Sequence, residues 1–216
     1  MSNEPIKRGF FDRSPTTVAQ QLLGKLLVRH SRRGLCVGRI VETEAYLARD
    51  DAACHAARGK TRKNEAMFGR PGTAYVYAIH SRWCFNVVTE PRGVPSAVLI
   101  RAIEPLWGLS RMSELRGTSE RLDLARGPGR LCEALEINRG LNRWDLTRGR
   151  RLWMSAEHDD LESPIEIACC RRIGVTSAQD LLLRYFLPNN RFVSGSRREQ
   201  QGARILSMMP QPLSNH

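Results

Sequence analysis

The sequence predicts one mixed α/β (α+β) domain in which helices pack on an antiparallel sheet. Its 216 residues are enough for one well-buried core and do not require a second domain. Three apolar runs separated by tight turns, at 73–80, 84–89 and 96–103, are typical of an antiparallel meander. Two amphipathic stretches follow, at 104–117 and 127–138, and they are predicted to form helices that cover this sheet.

The N-terminal part of the chain is predicted to contain a short helix followed by a hairpin. Ser14, with a proline directly after it, and Gly24 are the start and stop signals of a helix over about 15–23. The apolar runs at 25–30 and 35–46 are predicted to be strands, because a Ser-Arg-Arg-Gly turn joins them.

A long polar loop over 47–72 separates this hairpin from the meander, and its second half is rich in basic residues. Loops of this length inside a domain are usually functional or disordered. Beyond the last helix, four short strand-like runs alternate with loops, at 151–154, 165–170, 172–175 and 191–195. The residues from about 205 to 216 are mostly polar, and we expect them to be flexible.

The charge of the chain points to a polyanionic partner. The net charge is +12, and the isoelectric point lies near 10.2. Of the 34 basic residues only four are lysines, and arginine is the side chain that binds phosphate through two parallel hydrogen bonds. A genome-wide bias would account for the ratio of arginine to lysine, but not for the excess of basic over acidic residues. Nucleic acid is therefore the predicted partner.

Other features argue against a membrane protein and against a metal site. No apolar run is long enough to cross a bilayer, and the first residues lack the apolar core of a signal peptide, so we expect an intracellular protein. The cysteines are scattered without the spacing of metal ligands, and we expect reduced, mostly buried thiols. They are Cys36, Cys54, Cys84, Cys132, Cys169 and Cys170.

The strand over 35–46 carries two carboxylates. Side chains alternate along a strand, so each face receives every second residue. The predicted members of one face are Ile40, Glu42, Glu44 and Tyr46. The predicted members of the other face are Val41, Thr43 and Ala45. A face with paired glutamates is either exposed to solvent, which is the more common case, or the floor of a pocket. Alternation alone does not distinguish Glu42 from Glu44.

Three further observations favour a pocket. Tyr75 and Tyr77 share one face of the next strong strand, and Arg101 lies near the end of an apolar strand, where a buried cation would need an acidic partner. The third is the basic loop over 47–72. An aromatic, acidic pocket at the edge of a cationic surface suits an enzyme that takes a base out of duplex DNA and hydrolyses its bond to the sugar.

Several sequence blocks occur in a fixed order. They are RIVETEAYLARDDAACHAARGKTRKNEAMFGRPGTAYVYAIH (39–80), CFNVV (84–88), VLIRAIEPLWG (98–108), ARGPGRLCEALEIN (125–138) and WDLT (144–147). This ordered set resembles the alkyladenine (3-methyladenine) DNA glycosylase family, and the resemblance covers residues from about 10 to 195.

The resemblance implies a fold and an activity. The fold would be a single glycosylase domain over 1–216, with a well-structured core over 10–195. It would contain a curved antiparallel sheet flanked by helices and a protruding β-hairpin that enters the minor groove of DNA. The activity would be that of a monomer that flips alkylated or deaminated purines out of duplex DNA and hydrolyses the N-glycosidic bond with a glutamate-activated water. No cofactor would be required.

The resemblance also implies the roles of individual residues. Glu44 would be the general base, and Arg101 would hold the water and the carboxylate. The flipped base would be enclosed by three side chains, Tyr46, His55 and Tyr77. Asn86 would exclude normal guanine by crowding its exocyclic amine.

The chain departs from the family pattern at one hairpin. The family usually has a tyrosine three residues after the stacking tyrosine, and this side chain fills the space left by the flipped nucleotide. Here that position is His80, and the following turn is a residue shorter. His80, Arg82 and Trp83 are therefore all candidates for the DNA wedge.

Two questions about the chemistry follow from the residues. Strand cleavage through a Schiff base would need an amine nucleophile in the pocket, and all four lysines lie in predicted loops or at the periphery, so we expect a monofunctional glycosylase that leaves an abasic site. The alternatives are a catalytically inactive or structural nucleic-acid-binding protein, and a metal-dependent nuclease with Glu42 and Glu44 as Mg²⁺ ligands.

Overall fold

A nine-stranded antiparallel sheet organises the computed structural model, which describes residues 4–155 and 165–206. Its strands are β1 (Leu26–Ser31), β2 (Gly34–Tyr46), β3 (Ala74–Ile79), β4 (Arg82–Thr89), β5 (Ser96–Trp107), β6 (Leu152–Ser155), β7 (Ile167–Cys170), β8 (Arg184–Phe186) and β9 (Arg204–Leu206). The described residues also form the helices α1 (Arg8–Phe11), α2 (Pro15–Leu22), α3 (Leu109–Arg116) and α4 (Pro128–Ala134). The predicted single α+β domain is therefore confirmed.

The long strand β2 lies at the centre of the sheet. The strand order is β3-β4-β5-β2-β8-β7-β9, and β1 pairs with both β2 and β6. One edge of β2 pairs with β5 along most of its length. The first half of β2 also pairs with β1, and the later residues 42–44 pair with β8 instead. The strand thus changes partners close to its two glutamates.

The main hydrophobic core lies on one face of this sheet, beneath α2 and α4. Helix α2 begins with a proline in its first turn, as predicted, and it buries Val18, Ala19 and Leu22 at helical spacing. Phe11, Phe85 and Ile100 are completely buried in the same core. Removal of these apolar surfaces from water is the main force that holds the helices on the sheet.

The alternation predicted for β2 is wrong at Val41. The register between β2 and β5 shifts between Ile40 and Glu42, so that Val41 is an extra residue opposite the partner strand. Ile40 packs in the main core, whereas Val41 packs in a second cluster with Phe186. The bulge therefore places Ile40 on the face opposite to Glu42, and places Val41 on the glutamate side.

The helix predicted over 104–117 is shorter than expected. Strand β5 continues to Trp107, whose Cα pairs with Val37, and the helix begins only at Leu109. Gly108 allows the sharp change of direction, because it has a φ of +79° and a Cβ there would lie 2.5 Å from the Leu35 carbonyl oxygen. The pairing of β5 with β2 thus keeps residues 104–107 in the sheet, although their apolar spacing favours a helix.

The C-terminal part differs more from the prediction. The run at 151–154 overlaps β6 and the run at 165–170 contains β7, but 172–175 and 191–195 form no strand. Strands β8 and β9 were not predicted, since three residues are too few to show an alternation. Strand β9 lies at the start of the segment expected to be flexible, and residues 207–216 of that segment lie outside the described residues.

The expectation of reduced, buried cysteines agrees with the structure. All six cysteines are buried and have free thiols. Within residues 4–155 and 165–206, the helices are too short or too polar to span a bilayer.

The bulge at Val41 predicts which residues are energetically coupled. Val41→Ala should destabilise the protein by about 1–3 kcal/mol, because it leaves a cavity in the second cluster. In a double-mutant cycle with Phe186→Leu, urea unfolding should give a coupling energy of about 0.5 kcal/mol or more. The control cycle with Leu22→Ala, on the opposite face, should be additive. Coupling to Leu22 and not to Phe186 would contradict the bulge.

Candidate active site

Two glutamates are completely buried at the centre of the sheet. Glu42 and Glu44 are both 0% exposed, so the sequence alternative in which they face solvent is wrong. A buried carboxylate is costly unless a cation or hydrogen-bond donors compensate it. Arg101 binds both of them: its Nε lies 3.0 Å from Glu42 Oε1, and its Nη1 lies 3.1 Å from Glu44 Oε1.

A second register shift lets Arg101 reach both glutamates. Ala102 pairs with Glu42 and Ile100 pairs with Thr43, so Arg101 is the extra residue on β5. Its guanidinium is deeply buried. Burial lowers the pKa of Arg101, but the charges of Glu44 and Glu42 outweigh this effect and raise it. The arginine therefore remains a cation, with the acidic partners that its position in an apolar strand requires.

Glu42 is held entirely by the protein. Its Oε1 accepts hydrogen bonds from Arg101 and, at 2.6 Å, from Arg184 Nε, while its Oε2 accepts one from the Ser194 N–H at 2.7 Å. Burial raises the pKa of Glu42, but Arg101, Arg184 and Ser194 together lower it below the ordinary value. Arg184 and Ser194 were not among the predicted site residues, because both come from C-terminal segments without a clear sequence pattern.

Glu44 has a different set of partners. Its Oε1 forms an ion pair with Arg101 and accepts a hydrogen bond from the Ile173 N–H at 2.8 Å, and its Oε2 accepts one from the Tyr46 hydroxyl at 2.9 Å. A carboxylate offers about four acceptor positions, so one position remains on Oε2. Tyr46, Arg101 and Ile173 all line a large cleft, which puts Glu44 directly behind its wall.

The cleft has a volume of about 790 Å³, which is within the usual range of ligand pockets. One wall consists of Tyr46, Tyr77 and His55. The ring centroids of His55 and Tyr77 are 4.5 Å apart at an interplanar angle of 68°, and those of Tyr75 and Tyr77 are 5.1 Å apart. The structure thus brings the three predicted base-binding residues together at one cleft, next to Arg101.

Tyr75 is a site residue to which the sequence analysis assigned no role. Its hydroxyl lies 2.9 Å from His55 Nδ1, and the residue is almost fully buried. Desolvation lowers the pKa of His55 and raises that of Tyr75, so both are neutral at neutral pH. Because Tyr75 and Tyr77 are two residues apart on one strand, the sequence could have indicated that Tyr75 packs next to Tyr77 at the site.

Asn86 lies behind the aromatic wall. It is 2% exposed, and its Nδ2 donates a hydrogen bond to the Tyr75 carbonyl oxygen at 3.1 Å. Together with Met67 and Ala97 it borders a cavity of about 10 Å³ beneath Tyr46, His55 and the two tyrosines of β3. This volume is about that of one water-sized probe. Asn86 therefore reaches this small cavity behind the aromatic wall and does not line the cleft itself.

A buried amide, that of Asn64, orders the part of the long polar loop that follows His55. Asn64 Nδ2 donates hydrogen bonds to the carbonyl oxygens of His55 at 2.8 Å and Gly59 at 2.9 Å, and its Oδ1 accepts one from the Thr61 N–H. These bonds fix the backbone on both sides of the basic segment. The exposed basic side chains of this segment are Arg58, Lys60, Arg62 and Lys63.

The hairpin of β3 and β4 ends at two exposed residues, His80 and Ser81, with φ values of 44° and 68°. Two positive φ values are typical of a type I′ turn, the tight turn that suits the twist of a hairpin. His80 and Arg82 line the cleft, whereas Trp83 packs against the main core. The structure therefore brings two of the three wedge candidates to the cleft and leaves Trp83 away from it.

The donor set does not suit a metal ion. Both glutamates form ion pairs with arginine, and each oxygen of Glu42 accepts a hydrogen bond from the protein. Over residues 4–155 and 165–206, no group of three or more His, Cys, Asp or Glu side chains could hold a metal ion. Glu42 and Glu44 are thus arranged to bind arginine and not Mg²⁺.

Several known proteins are similar to this chain in sequence. A profile of the methylpurine-DNA glycosylase (MPG) family matches residues 9–191. A candidate 3-methyladenine DNA glycosylase of Rhodopirellula baltica is 44% identical over 208 residues, which cover 94% of this chain and 88% of that protein. Candidate 3-methyladenine DNA glycosylases of Koribacter versatilis and Methanocella arvoryzae are 43% and 46% identical over 89% and 83% of this chain, and over 94% and 88% of their own lengths.

The fold, the cleft and these similarities define the class of protein as a DNA glycosylase, a hydrolase that acts on N-glycosyl bonds in DNA repair. Within this class, the chain belongs to the methylpurine-DNA glycosylase family.

The pKa of Glu42 predicts a pH dependence of stability. Because this pKa is lowered on folding, the unfolded chain takes up the proton first as the pH falls. Glu42 therefore stabilises the protein fully above its ordinary pKa of 4.5, and this contribution is lost as the pH falls towards the lowered value. In Glu42→Gln, the free energy of unfolding below that pH should fall less steeply, by up to about 1.4 kcal/mol per pH unit. Urea unfolding at several pH values measures the slope, and an unchanged slope would contradict the assignment.

Proposed function

We propose that this DNA glycosylase flips alkylated or deaminated purines, including 3-methyladenine, out of duplex DNA and hydrolyses the N-glycosidic bond with a water activated by Glu44. The observation that carries this proposal is the difference between the two buried glutamates. The donors to Glu42 include Arg184 and Ser194, which do not line the cleft. The groups that bind Glu44 all line it, and they are Tyr46, Arg101 and Ile173.

The reaction requires little more than a base, a counter-charge and a positioned water. Glu44 accepts a proton from the water, the water oxygen bonds to C1′ of the sugar, and the bond from C1′ to the purine nitrogen breaks with its electron pair on the base. A purine alkylated at N3 or N7 is cationic and leaves as a neutral molecule. A deaminated purine is neutral, so it must also take up a proton, from solvent in the open cleft, in order to leave as a neutral molecule. The negative charge of Glu44 stabilises the oxocarbenium-like sugar, and Arg101 orients the carboxylate.

The aromatic wall of Tyr46, Tyr77 and His55 recognises the flipped base in this proposal. Tyr46 and Tyr77 stack on the flipped purine, and a cationic base gains about 2 kcal/mol from a desolvated ring. His55 is neutral because burial lowers its pKa, so it does not repel such a base. Asn86, at the small cavity behind this wall, is the proposed residue that rejects the exocyclic amine of normal guanine.

The surface around the cleft is suited to duplex DNA. The exposed basic segment over 58–63 borders the cleft through Arg58 and supplies contacts for phosphates. The tip of the hairpin is the proposed wedge in the minor groove, with His80 as the inserted side chain and the 44% exposed Ile79 beside it. We propose that the protein acts as a monomer with one glycosylase domain.

The same geometry supports a monofunctional enzyme. A Schiff base with the sugar needs a lysine amine in the cleft. In the described part of the chain, which contains all four lysines, no lysine lines the cleft. The proposed product is therefore an abasic site, with the DNA strand left uncut.

Glu44→Gln tests the proposed role of the carboxylate. Glutamine keeps the shape but cannot take a proton, so single-turnover excision should slow by roughly 10²–10⁴-fold while duplex binding is retained. The assay uses duplexes with one 3-methyladenine, 7-methylguanine, hypoxanthine or ethenoadenine, followed by alkaline cleavage. Glu114→Gln, which removes an exposed glutamate of α3, is the control and should have the wild-type rate.

Excision by Glu44→Gln at the wild-type rate would exclude Glu44 as the base. Wild-type protein that binds these duplexes without excision of any lesion would identify a catalytically inactive relative. Loss of activity in EDTA would favour metal-dependent chemistry instead.

The charge of the loop predicts a salt-dependent affinity. Phosphate contacts release counterions, so the logarithm of the affinity should fall linearly with the logarithm of the salt concentration. Substitution of both Arg62 and Lys63 by alanine should reduce this slope by about 2, since each phosphate contact contributes about 1. Fluorescence anisotropy with an undamaged duplex measures the slope. The control is Arg116→Ala, whose side chain is engaged by Glu133, and an equal effect in this control would refute the assignment to the loop.

A further inference from the structure

A buried ion pair joins three separate parts of the candidate site. The side chains of Arg172 and Asp51 are both 0% exposed. Arg172 Nη1 lies 2.7 Å from Asp51 Oδ2, and its Nη2 lies 2.6 Å from Asp51 Oδ1, so the contact is bidentate. The two residues are far apart in sequence, and neither was predicted to belong to the site.

The arginine end of the pair holds strand β2 and the donor to Glu44. Arg172 Nη1 also donates a hydrogen bond to the Ala45 carbonyl oxygen at 3.0 Å, and its guanidinium carbon lies 4.7 Å from the centroid of the Tyr46 ring. The next residue in the chain, Ile173, donates its N–H to Glu44. Arg172 therefore contacts one proposed base-binding side chain and is covalently adjacent to the backbone donor of the proposed base.

The aspartate end of the pair holds the loop that carries His55. Asp51 accepts hydrogen bonds from the Leu47 N–H at 3.0 Å and from the Ala53 N–H at 3.1 Å. These two bonds fix the turn between the end of β2 and Cys54-His55. Since burial alone raises the pKa of Asp51 and the bonds to Arg172, Leu47 and Ala53 lower it, the residue is a carboxylate.

We propose that the Arg172–Asp51 pair is a positioning pair for base excision, which fixes the Ile173 N–H on Glu44 and holds the Tyr46 ring at the edge of the cleft. The inference rests on the proposed function of Glu44. A buried ion pair contributes little to stability compared with apolar residues of the same volume. Outside the pair, its hydrogen bonds and ring contact are made with Ala45, Tyr46, Leu47 and Ala53. Because Arg172 also directly precedes Ile173, the pair constrains the reacting geometry, where small displacements are costly.

The test compares two variants of the pair with a matched carboxylate elsewhere. Asp51→Asn removes the counter-charge, and Arg172→Lys keeps the positive charge but replaces the planar fork, which binds two residues at once, by a point charge. The control is Asp145→Asn. Asp145 also accepts bonds from an arginine, Arg8, and from a backbone N–H, that of Thr147, but it does not line the cleft.

Both variants of the pair should excise the base roughly 10–100-fold more slowly than wild type in single-turnover reactions, with duplex affinity within about twofold of wild type. Asp145→Asn should keep the wild-type rate. Rates are compared at a temperature at which circular dichroism shows each protein to be folded. Glu44→Gln is measured in parallel to separate this inference from the proposed function.

Folded Asp51→Asn and Arg172→Lys with rates within about twofold of wild type, while Glu44→Gln is inactive, would overturn the inference and leave the proposed function standing. A loss of affinity equal to the loss of rate would also overturn it. If Asp51→Asn does not fold, Arg172→Lys decides alone, and failure of both to fold would mean that the pair is structural. An active Glu44→Gln would remove the proposed function itself.

Discussion

The bridge from Arg101 to Glu42 and Glu44 determines much of this structure. Four charged groups, two glutamates and two arginines, occupy one buried layer of the sheet, and each of them would be strongly destabilising without the others. Because Arg101 spans both carboxylates, the position of each glutamate depends on the same guanidinium. Arg184 and the Ser194 N–H then close the network from the C-terminal part of the chain. The chemistry of the cleft is thereby tied to the folding of distant segments.

The network also gives a physical reason why Glu44, and not Glu42, is the proposed general base. Sequence alternation places Glu42 and Glu44 on the same face and gives no reason to prefer either. In the structure, Glu42 points to Arg184 and Ser194, whereas Glu44 points to groups that line the cleft. Glu42 therefore serves as the fixed anchor of Arg101, and Arg101 in turn fixes Glu44. A second carboxylate in the motif is needed to hold the arginine, even though it does not face the cleft.

The sequence predicted the long strands apart from the last residues of β5 and the bulge in β2, and the family resemblance predicted the candidate site residues that these strands carry. Alternation and turn signals located β1 to β5, and the same strands carry Glu44, Tyr46, Tyr77, Asn86 and Arg101. Residues supplied by the C-terminal half were missed, among them Arg172, Arg184 and Ser194. These lie in loops or in a three-residue strand, where no periodicity exists, and their partners are up to 152 positions away. The two bulges were missed for a related reason, since a bulge depends on the pairing of two strands and leaves no mark on either strand alone.

The two bulges, one at Val41 on β2 and one at Arg101 on β5, determine where the buried charges lie. With regular pairing, Val41 and Arg101 would each have a partner on the other strand, and Glu42 would lie on the same face as Ile40. The extra residue on β2 moves Glu42 to the sheet face opposite to Ile40, and the extra residue on β5 brings Arg101 between the two carboxylates. Bulges weaken the local hydrogen-bond ladder, and the buried ion network offsets this loss at the same point of the sheet. The bulges and the buried charges therefore depend on each other. The bulges position the charged side chains, and the ion network stabilises the bulges.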